Sequence, residues 1–195
     1  MQKLVLPINN CKLTATYKNP AYLKKFGFVH YGTDMISTVG NKIIYASGNG
    51  TVVSAGTDSV VGKIVIIKYP MAYNHQTLEY KDLLIRYFHL DQIKTSVGAN
   101  VTKDSVIGIY GNTGSLIMGK HLHIEVDKDT KYPLYSPTVA SSSLLKGRYF
   151  GANDSTMTDP IQWLHAKTSA PDHQVFSTTN DSYINSNDKF LPKLV

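Results

Sequence analysis

The feature of this sequence that most constrains its fold is a succession of short apolar segments between Val39 and Val126, each bounded by turn-forming residues. The segments are rich in Val, Ile and Tyr, which favour half-buried strands. They end at turn signals such as Ser47-Gly48-Asn49-Gly50. The predicted strands are residues 43–46, 51–55, 63–69, 84–90, 106–110 and 121–126. Short, closely spaced strands with Gly-rich turns predict an all-β (mainly β) fold, an antiparallel sandwich or barrel-like domain.

The rest of the chain is predicted to add one short C-terminal helix and little other regular structure. Asp159-Pro160 combines an N-cap residue with proline at the first helical position. The helix would present Ile161, Trp163 and Leu164. Composition divides the chain into three parts: an irregular N-terminal segment (1–25), the domain itself (26–167) and a polar tail or linker (168–195). Within the domain we expect a polar loop (71–82) and a long polar insertion (127–158).

Cysteine content and charge limit the class of protein. The 195-residue chain has one cysteine, Cys11, so no internal disulfide can form and the fold must depend on its core or on a metal. The net charge of +6 serves either solubility or attraction to an anionic polymer such as a cell wall. The Lys and Arg residues are scattered, so no nucleic-acid partner is predicted. No apolar run approaches the ~18 residues of a membrane helix, no secretion signal is visible, and we expect a monomer.

A first candidate site lies in His121-Leu122-His123. Side chains two residues apart on a strand share a face, so His121, His123 and Glu125 are expected to point the same way while the residues between them fill the core. Such a pair suits one metal ion or one substrate; the alternative is two hydrogen-bonded surface histidines. Glu125 is interpreted either as support behind the histidines or as a plain surface residue.

A second candidate site is His30-Tyr31-Gly32-Thr33-Asp34, in which a histidine and a carboxylate lie four residues apart. Gly32 leaves room for a close approach, and His nitrogen and Asp oxygen are ordinary zinc ligands. The alternative is a turn in which Asp34 caps a backbone amide. Together the two motifs supply His, Asp and His, and three protein ligands with an open fourth position are typical of a catalytic zinc site.

Catalysis at such a site also needs a group that transfers a proton and a group that stabilises developing negative charge. The sequence has no His-Glu-x-x-His motif to supply a glutamate base. The candidates for these roles are therefore His89 and His121. The three other histidines are expected to be ordinary surface residues: His75, His165 and His173.

Six segments in the same order resemble the lysostaphin/LytM-type zinc endopeptidases, over roughly residues 26–165. They are residues 30–34, 44–56, 87–90, 106–114, 121–126 and 159–164. The resemblance implies a β-rich fold of the duplicated-hybrid-motif type, with one zinc ion held by His30, Asp34 and His123 and with His89 and His121 beside the zinc-bound water. It also implies an endopeptidase that hydrolyses peptide bonds in the stem peptide or cross-bridge of bacterial peptidoglycan, acting at the bacterial cell wall.

Two alternatives accompany this interpretation. One is a non-catalytic cell-wall-binding or regulatory domain of the same fold. The other is a structural protein of a phage particle that also carries the domain, which does not exclude catalysis. A phage lysin or tail-associated lysin would fit the lack of a visible secretion signal. The sequence departs from the family at Lys120, at Asp104-Ser105 and in the length of the insertion, and these departures bear on substrate preference.

Overall fold

A computed structural model gives the fold of the chain. It describes residues 1–117, 119–139, 142–147, 154–167, 176–178, 182–189 and 191–192. Its strands are β1 (Leu4–Val5), β2 (Cys11–Ala15), β3 (Thr33–Ser37), β4 (Ile43–Tyr45), β5 (Gly50–Asp58), β6 (Gly62–Tyr73), β7 (Tyr80–Ile93), β8 (Asn100–Val101), β9 (Val106–Tyr110), β10 (Leu122–Asp127), β11 (Met157–Thr158), β12 (Leu164–His165) and β13 (Phe176–Thr178). One α-helix, α1 (Pro20–Phe26), is present among the described residues. The mainly β prediction is confirmed.

Eleven strands form one large sheet, whose main path runs β13-β2-β3-β10-β7-β6-β5-β8. β11 lies beside β10, and β9 joins β7 to β4. β1 and β12 form a separate parallel pair, and β13 runs parallel to β2, whereas the other paired strands are antiparallel. The sheet therefore places β3, β10 and β7 side by side, and these are the strands that carry the sequence motifs.

The central strands of the sheet are buried on both faces. In β6, Val65 and Ile67 belong to the main hydrophobic core. Ile64 and Ile66 belong to a second cluster on the other side, with Phe88, Val139 and Leu145. A strand covered on both faces reads as an unbroken apolar run rather than an alternating one, which explains the sequence from Ile64 to Ile67.

The segment 127–158, expected as a polar insertion, covers this second cluster with its apolar residues. Val139 and Leu145 are buried, and Leu134 and Leu144 pack against the same cluster. The start of the segment is fixed by a buried ion pair between Arg86 and Asp127, 3.0 Å apart. The described part of the segment is therefore a structural layer of the domain.

The strand predicted to stop at Pro70 continues as β6 to Tyr73. The pairing of β6 with β7 shifts register between Tyr69 and Ala72, and a bulge is a place where proline can interrupt the strand ladder. The Met71 N–H donates instead to the Asp82 carboxylate. The predicted loop 71–82 is accordingly shorter than expected: β6 extends to Tyr73 and β7 begins at Tyr80, so only residues 74–79 lie outside the strands.

The entry segment 1–25 was expected to be irregular, and the structure corrects this. It contains β1, β2 and most of α1. Asn19 caps α1 by accepting hydrogen bonds from Ala21 and Tyr22. Gly27 ends the helix with a φ of 80°, a left-handed conformation that glycine adopts without steric cost.

The described parts of 168–195 pack against this entry segment rather than forming a linker. β13 pairs with β2, and the carbonyl of Tyr183 accepts from the Thr16 backbone N–H. Asn19 and Asn185 are joined through their side chains at 2.8 Å.

The helix predicted at Asp159-Pro160 is a single 3-10 turn, Pro160–Gln162. Asp159 caps it by accepting from the Ile161 N–H at 3.0 Å, and Ile161, Trp163 and Leu164 are buried. Within the described ranges, no helix is long and apolar enough to cross a membrane.

Candidate metal centre

Strand register brings the two sequence motifs together. His123 on β10 lies directly opposite Asp34 on β3 and opposite Phe88 on β7. The Phe88 ring stacks on the His123 imidazole with centroids 5.4 Å apart and planes 6° from parallel. On its Gly32 side the imidazole meets no side chain: a Cβ built on Gly32 would lie 2.4 Å from His123 Nε2. The absence of a Cβ at Gly32 is therefore what makes room for His123.

His30 enters the same cluster from the segment between α1 and β3. Its Nδ1 lies 3.1 Å from the Thr16 carbonyl, which accepts the proton on that nitrogen. Tyr22 of α1 stacks on the imidazole with centroids 4.3 Å apart. These two contacts fix the ring so that Nε2 faces Asp34.

The donor atoms of His30, Asp34 and His123 converge on one point. His30 Nε2 and His123 Nδ1 lie 3.1 Å and 2.8 Å from Asp34 Oδ1, and 3.1 Å from each other. All three residues are buried. Because His30 carries its proton on Nδ1, the neutral ring turns a lone pair toward a carboxylate oxygen, an arrangement that requires a proton or a metal cation between them. These residues could hold a metal ion.

The separations fit a small tetrahedral cation. Ligands ~2.0–2.1 Å from a zinc ion at tetrahedral angles lie about 3.3 Å from one another. The three donor atoms lie 2.8–3.1 Å apart, so small outward movements would admit the ion. The mixed nitrogen and oxygen donor set is also one that zinc accepts.

The electrostatic environment of the cluster favours an ionised Asp34 and a protonated His123. Burial alone would raise the pKa of Asp34, but His30, His121 and His123 outweigh burial and hold that pKa well below its usual range. Burial alone would lower the pKa of His123, but Asp34 and Glu125 outweigh it and raise the pKa to about 9. The carboxylate of Asp34 is thus held ionised, as a metal ligand must be.

His89 and His121 lie together beside this cluster. Their rings are 5.0 Å apart, and His121 Nε2 is 3.6 Å from Asp34 Oδ1. Both rings are held in the same way, since Nδ1 of His89 donates to the Thr113 carbonyl and Nδ1 of His121 donates to the Gly119 carbonyl. Each neutral ring is left with its lone pair on Nε2.

His89 adopts a positive φ of 65°, which is rare for a non-glycine residue and concentrates at functional sites. The pairing of β7 with β9 shifts register immediately after it, between Leu90 and Gln92. Burial lowers the pKa of His89 to about 4, with the neighbouring histidines adding to the effect. The imidazole is therefore neutral at neutral pH.

Glu125, for which the sequence left two interpretations, is not a surface residue. It is fully buried on β10, and Oε1 lies 3.7 Å from His123 Nε2. Ser136 donates to the same oxygen at 3.0 Å, and Thr138 donates to it as well. Burial would raise the pKa of Glu125, but His123 and Arg86 outweigh it and lower that pKa.

A groove of about 600 Å³ opens over the cluster. Apolar residues contribute much of its lining, including Tyr22 and Phe26 from α1 and Tyr183 from the C-terminal segment. Leu116 and Lys120 line it from the loop before β10. Asp34 is the only carboxylate among the described residues that line the groove.

The structure thus brings together all five residues singled out in the sequence: His30, Asp34, His89, His121 and His123. Three further groups at the site were not predicted from the sequence: the Thr16 carbonyl, Tyr22 and Tyr183. A signal existed for Tyr22, because Asn19-Pro20 is the same type of helix start as Asp159-Pro160.

The three remaining histidines were expected to be ordinary surface residues, and the structure does not place all of them at the surface. His75 is half-buried and contacts the Ile161 carbonyl, 2.6 Å away. His165 is fully buried, with Nδ1 3.0 Å from the Leu4 carbonyl, so the expected surface position is wrong for it. His173 lies outside the described residues.

Comparison with known proteins adds an independent finding. The profile of peptidase family M23 matches residues 28–133. A stretch of 97 residues is 34% identical to the peptidoglycan DD-endopeptidase ShyA of Vibrio cholerae serotype O1, covering 50% of this chain and 20% of that protein. The chain thus spans about a fifth of the length of this curated relative.

Solved structures share the fold at lower identity. Lysostaphin from Staphylococcus simulans is 20% identical with a TM-score of 0.54, over 84% of this chain and 53% of that chain. A chain of the SpoIIQ-SpoIIIAH pore forming complex is 19% identical with a TM-score of 0.57, over 90% of this chain and 94% of that chain. The family match spans more than half of the 195 residues and contains His30, Asp34, His89, His121 and His123. The chain therefore belongs to peptidase family M23.

Proposed function

We propose that this chain is a zinc-dependent endopeptidase that hydrolyses peptide bonds in the stem peptide or cross-bridge of bacterial peptidoglycan. The observation that carries the proposal is the convergence of His30 Nε2, Asp34 Oδ1 and His123 Nδ1 at separations of 2.8–3.1 Å. These residues would hold one zinc ion. When bound, zinc supplies an activated water at neutral pH and polarises the carbonyl of the bond that is cut.

His89 and His121 would handle the protons of the reaction. Each presents Nε2 as its free nitrogen, because Nδ1 is held by a backbone carbonyl. A neutral imidazole can take up a proton there, and the resulting imidazolium can stabilise developing negative charge or return the proton to the leaving amine. The low pKa of His89, about 4, keeps it in the accepting form before reaction.

The composition of the groove favours a peptide over a glycan as the bond that is cut. Glycosidic hydrolysis normally uses two carboxyl groups that flank the scissile bond. Asp34 is the one carboxylate among the described lining residues, and it belongs to the cluster itself. The similarity to a peptidoglycan DD-endopeptidase supports the substrate class. The chemistry would be the same in a cellular hydrolase and in a phage-delivered lysin.

A non-catalytic wall-binding or regulatory role is the alternative. The fold alone does not separate the two, since a chain from a pore forming complex matches it as well as lysostaphin does. The presence in one groove of His30, Asp34, His123, His89 and His121 favours catalysis.

The test combines metal analysis with digestion of purified cell walls. The protein is expected to contain one zinc per chain and to release new free amino groups with no rise in reducing sugar. His123→Ala should lose both the metal and the amine release. His75→Ala, a change to a histidine outside the groove, should keep both. Release of reducing sugar without new amines, or full zinc occupancy in His123→Ala, would overturn the proposal.

A further inference from the structure

Four histidines surround the proposed metal position, and three of them are held in the same way. His30, His89 and His121 each place Nδ1 against a backbone carbonyl, at 3.1, 3.1 and 2.9 Å. Each therefore turns Nε2 toward the groove. A backbone carbonyl behind an imidazole selects its tautomer and fixes its orientation.

His123 is reversed with respect to the other three. Its Nδ1 faces Asp34 at 2.8 Å. Its Nε2 lies at the rear of the ring, the side near Glu125, and is buried there without a hydrogen-bond partner. Leaving a buried polar atom unpaired costs ~1–3 kcal/mol. The rear of His123 is thus the one place in the cluster where an orienting partner is required and a backbone carbonyl does not supply it.

A side chain that can accept a proton, the carboxylate of Glu125, lies beside this nitrogen. Its Oε1 lies 3.7 Å from His123 Nε2, about 0.8 Å beyond an ordinary hydrogen bond. Its other oxygen, Oε2, is also buried and without a hydrogen-bond partner. His123 and Glu125 thus each have a buried polar atom without a hydrogen-bond partner, and their side chains approach to 3.7 Å.

Glu125 is in turn held by a part of the chain beyond the family match. Ser136 and Thr138 both donate to Oε1, and both follow residue 133, where the match ends. These hydroxyl groups restrain the carboxylate behind His123. The segment 127–158 therefore reaches the rear of the metal cluster.

We propose that Glu125 is a positioning residue for His123, and that Ser136 and Thr138 hold it in place. In this arrangement Glu125 accepts the proton on Nε2 of His123, which leaves the lone pair on Nδ1 free for the metal. Glu125 touches neither metal nor substrate, and acts through His123. The inference rests on the proposed function only in taking the cluster to be a metal site.

The expected effect is a loss of metal affinity. Removing the outer partner of a metal-bound histidine typically lowers affinity ~10–100-fold. Glu125→Gln keeps the size of the side chain but replaces the carboxylate by a weaker, neutral acceptor, so we expect a decrease at the lower end of that range. Ser136→Ala combined with Thr138→Val should produce a smaller decrease, because the carboxylate remains but is less restrained.

The experiment is zinc competition against a chromophoric chelator, with the full chain and each variant. A second measurement is ¹⁵N NMR of the histidine side chains in the zinc-loaded protein, where His123 should be protonated on Nε2 in the parent. Glu125→Gln is expected to weaken zinc binding about tenfold and to shift the His123 nitrogen resonances, while those of His30 stay in place.

Asp127→Asn is the matched control, because it neutralises another buried carboxylate on the same strand. Asp127 pairs with Arg86, so this variant should lower the melting temperature while its zinc affinity stays at the parental value. Parental zinc affinity and unchanged His123 resonances in Glu125→Gln would refute the positioning role. Failure of the parent itself to bind zinc would instead refute the proposed function.

Discussion

Gly32→Ala tests the packing on which the candidate metal centre depends. The new Cβ would lie 2.3 Å from the Ile124 carbonyl oxygen, 2.4 Å from His123 Nε2 and 2.6 Å from His123 Cε1. Real Cβ contacts are essentially never shorter than 3.0 Å. The Ile124 oxygen belongs to the backbone of β10, which is paired with β3 on one side and β7 on the other. Neither the Ile124 oxygen nor the His123 ring can move away as the end of a flexible side chain would.

The magnitude follows from the shift that is required. To restore a 3.0 Å contact, the Ile124 oxygen or the new methyl must move by about 0.7 Å, and overpacking of this kind costs ~1–3 kcal/mol. For a chain of this length that corresponds to a decrease in melting temperature of roughly 2–12 °C. A similar displacement of His123 moves Nδ1 relative to Asp34, and we expect zinc affinity to fall on the order of tenfold or more.

The assay is zinc competition together with thermal unfolding, with and without added metal. Gly56→Ala is the matched control, since its new Cβ would meet only the end of the Leu144 side chain, at 3.3 Å. We expect that variant to keep parental zinc affinity and to lose little stability. Unchanged zinc affinity in Gly32→Ala, with the protein folded, would show that His123 does not need the space at Gly32.

Three further predictions concern chemistry, pH and charge. His89→Ala and His121→Ala should each retain zinc while turnover falls ~10²–10⁴-fold, measured by amine release; normal turnover with a lower melting temperature would make the residue merely structural. Burial and the neighbouring charge of Asp188 raise the pKa of Asp159 to about 7. The contribution of the Asp159–Asp188 pair to the free energy of unfolding is therefore complete below about pH 4 and is lost as pH rises through about 7. Asp188→Asn should therefore gain melting temperature over the parent as pH increases from about 5 to 8, and a constant difference would contradict this. Binding to purified walls should weaken with salt if the net charge of +6 contributes, because exposed charges are screened over ~8 Å at physiological ionic strength; unchanged binding would assign affinity to the groove.

The sequence was most informative where local pattern and strand pairing agree. The apolar periodicity located β4, β5, β9 and β10 within a few residues. The spacing in His121-Leu122-His123 did not by itself distinguish the two histidines, since only the pairing of β10 with β3 sets His123 opposite Asp34. The resemblance to a family supplied that distinction in advance, and the geometry is consistent with it.

What could not be predicted depends on contacts between distant parts of the chain. The Thr16 carbonyl behind His30 has no side-chain signature, because any residue can supply it. The partners of Glu125 lie 11 and 13 residues further on, in a segment that its composition indicated only as a polar insertion. His165 is buried because its strand pairs with the strand of Leu4, near the other end of the chain. Such contacts are set by tertiary packing, which local propensity does not encode.

The contact between Thr16 and Tyr183 has a consequence for the biogenesis of the protein. Both the backbone N–H and the hydroxyl of Thr16 donate to the Tyr183 carbonyl, 167 residues further along the chain. At ~5–20 residues per second on the ribosome, Tyr183 follows Thr16 by roughly 10–30 s. During that interval the loop that presents the Thr16 carbonyl to His30 lacks its anchor, whereas β5, β6 and β7 have already been made and can pair. We expect a nascent chain to pair the central strands of its sheet first and to complete its groove last, once synthesis has passed Tyr183.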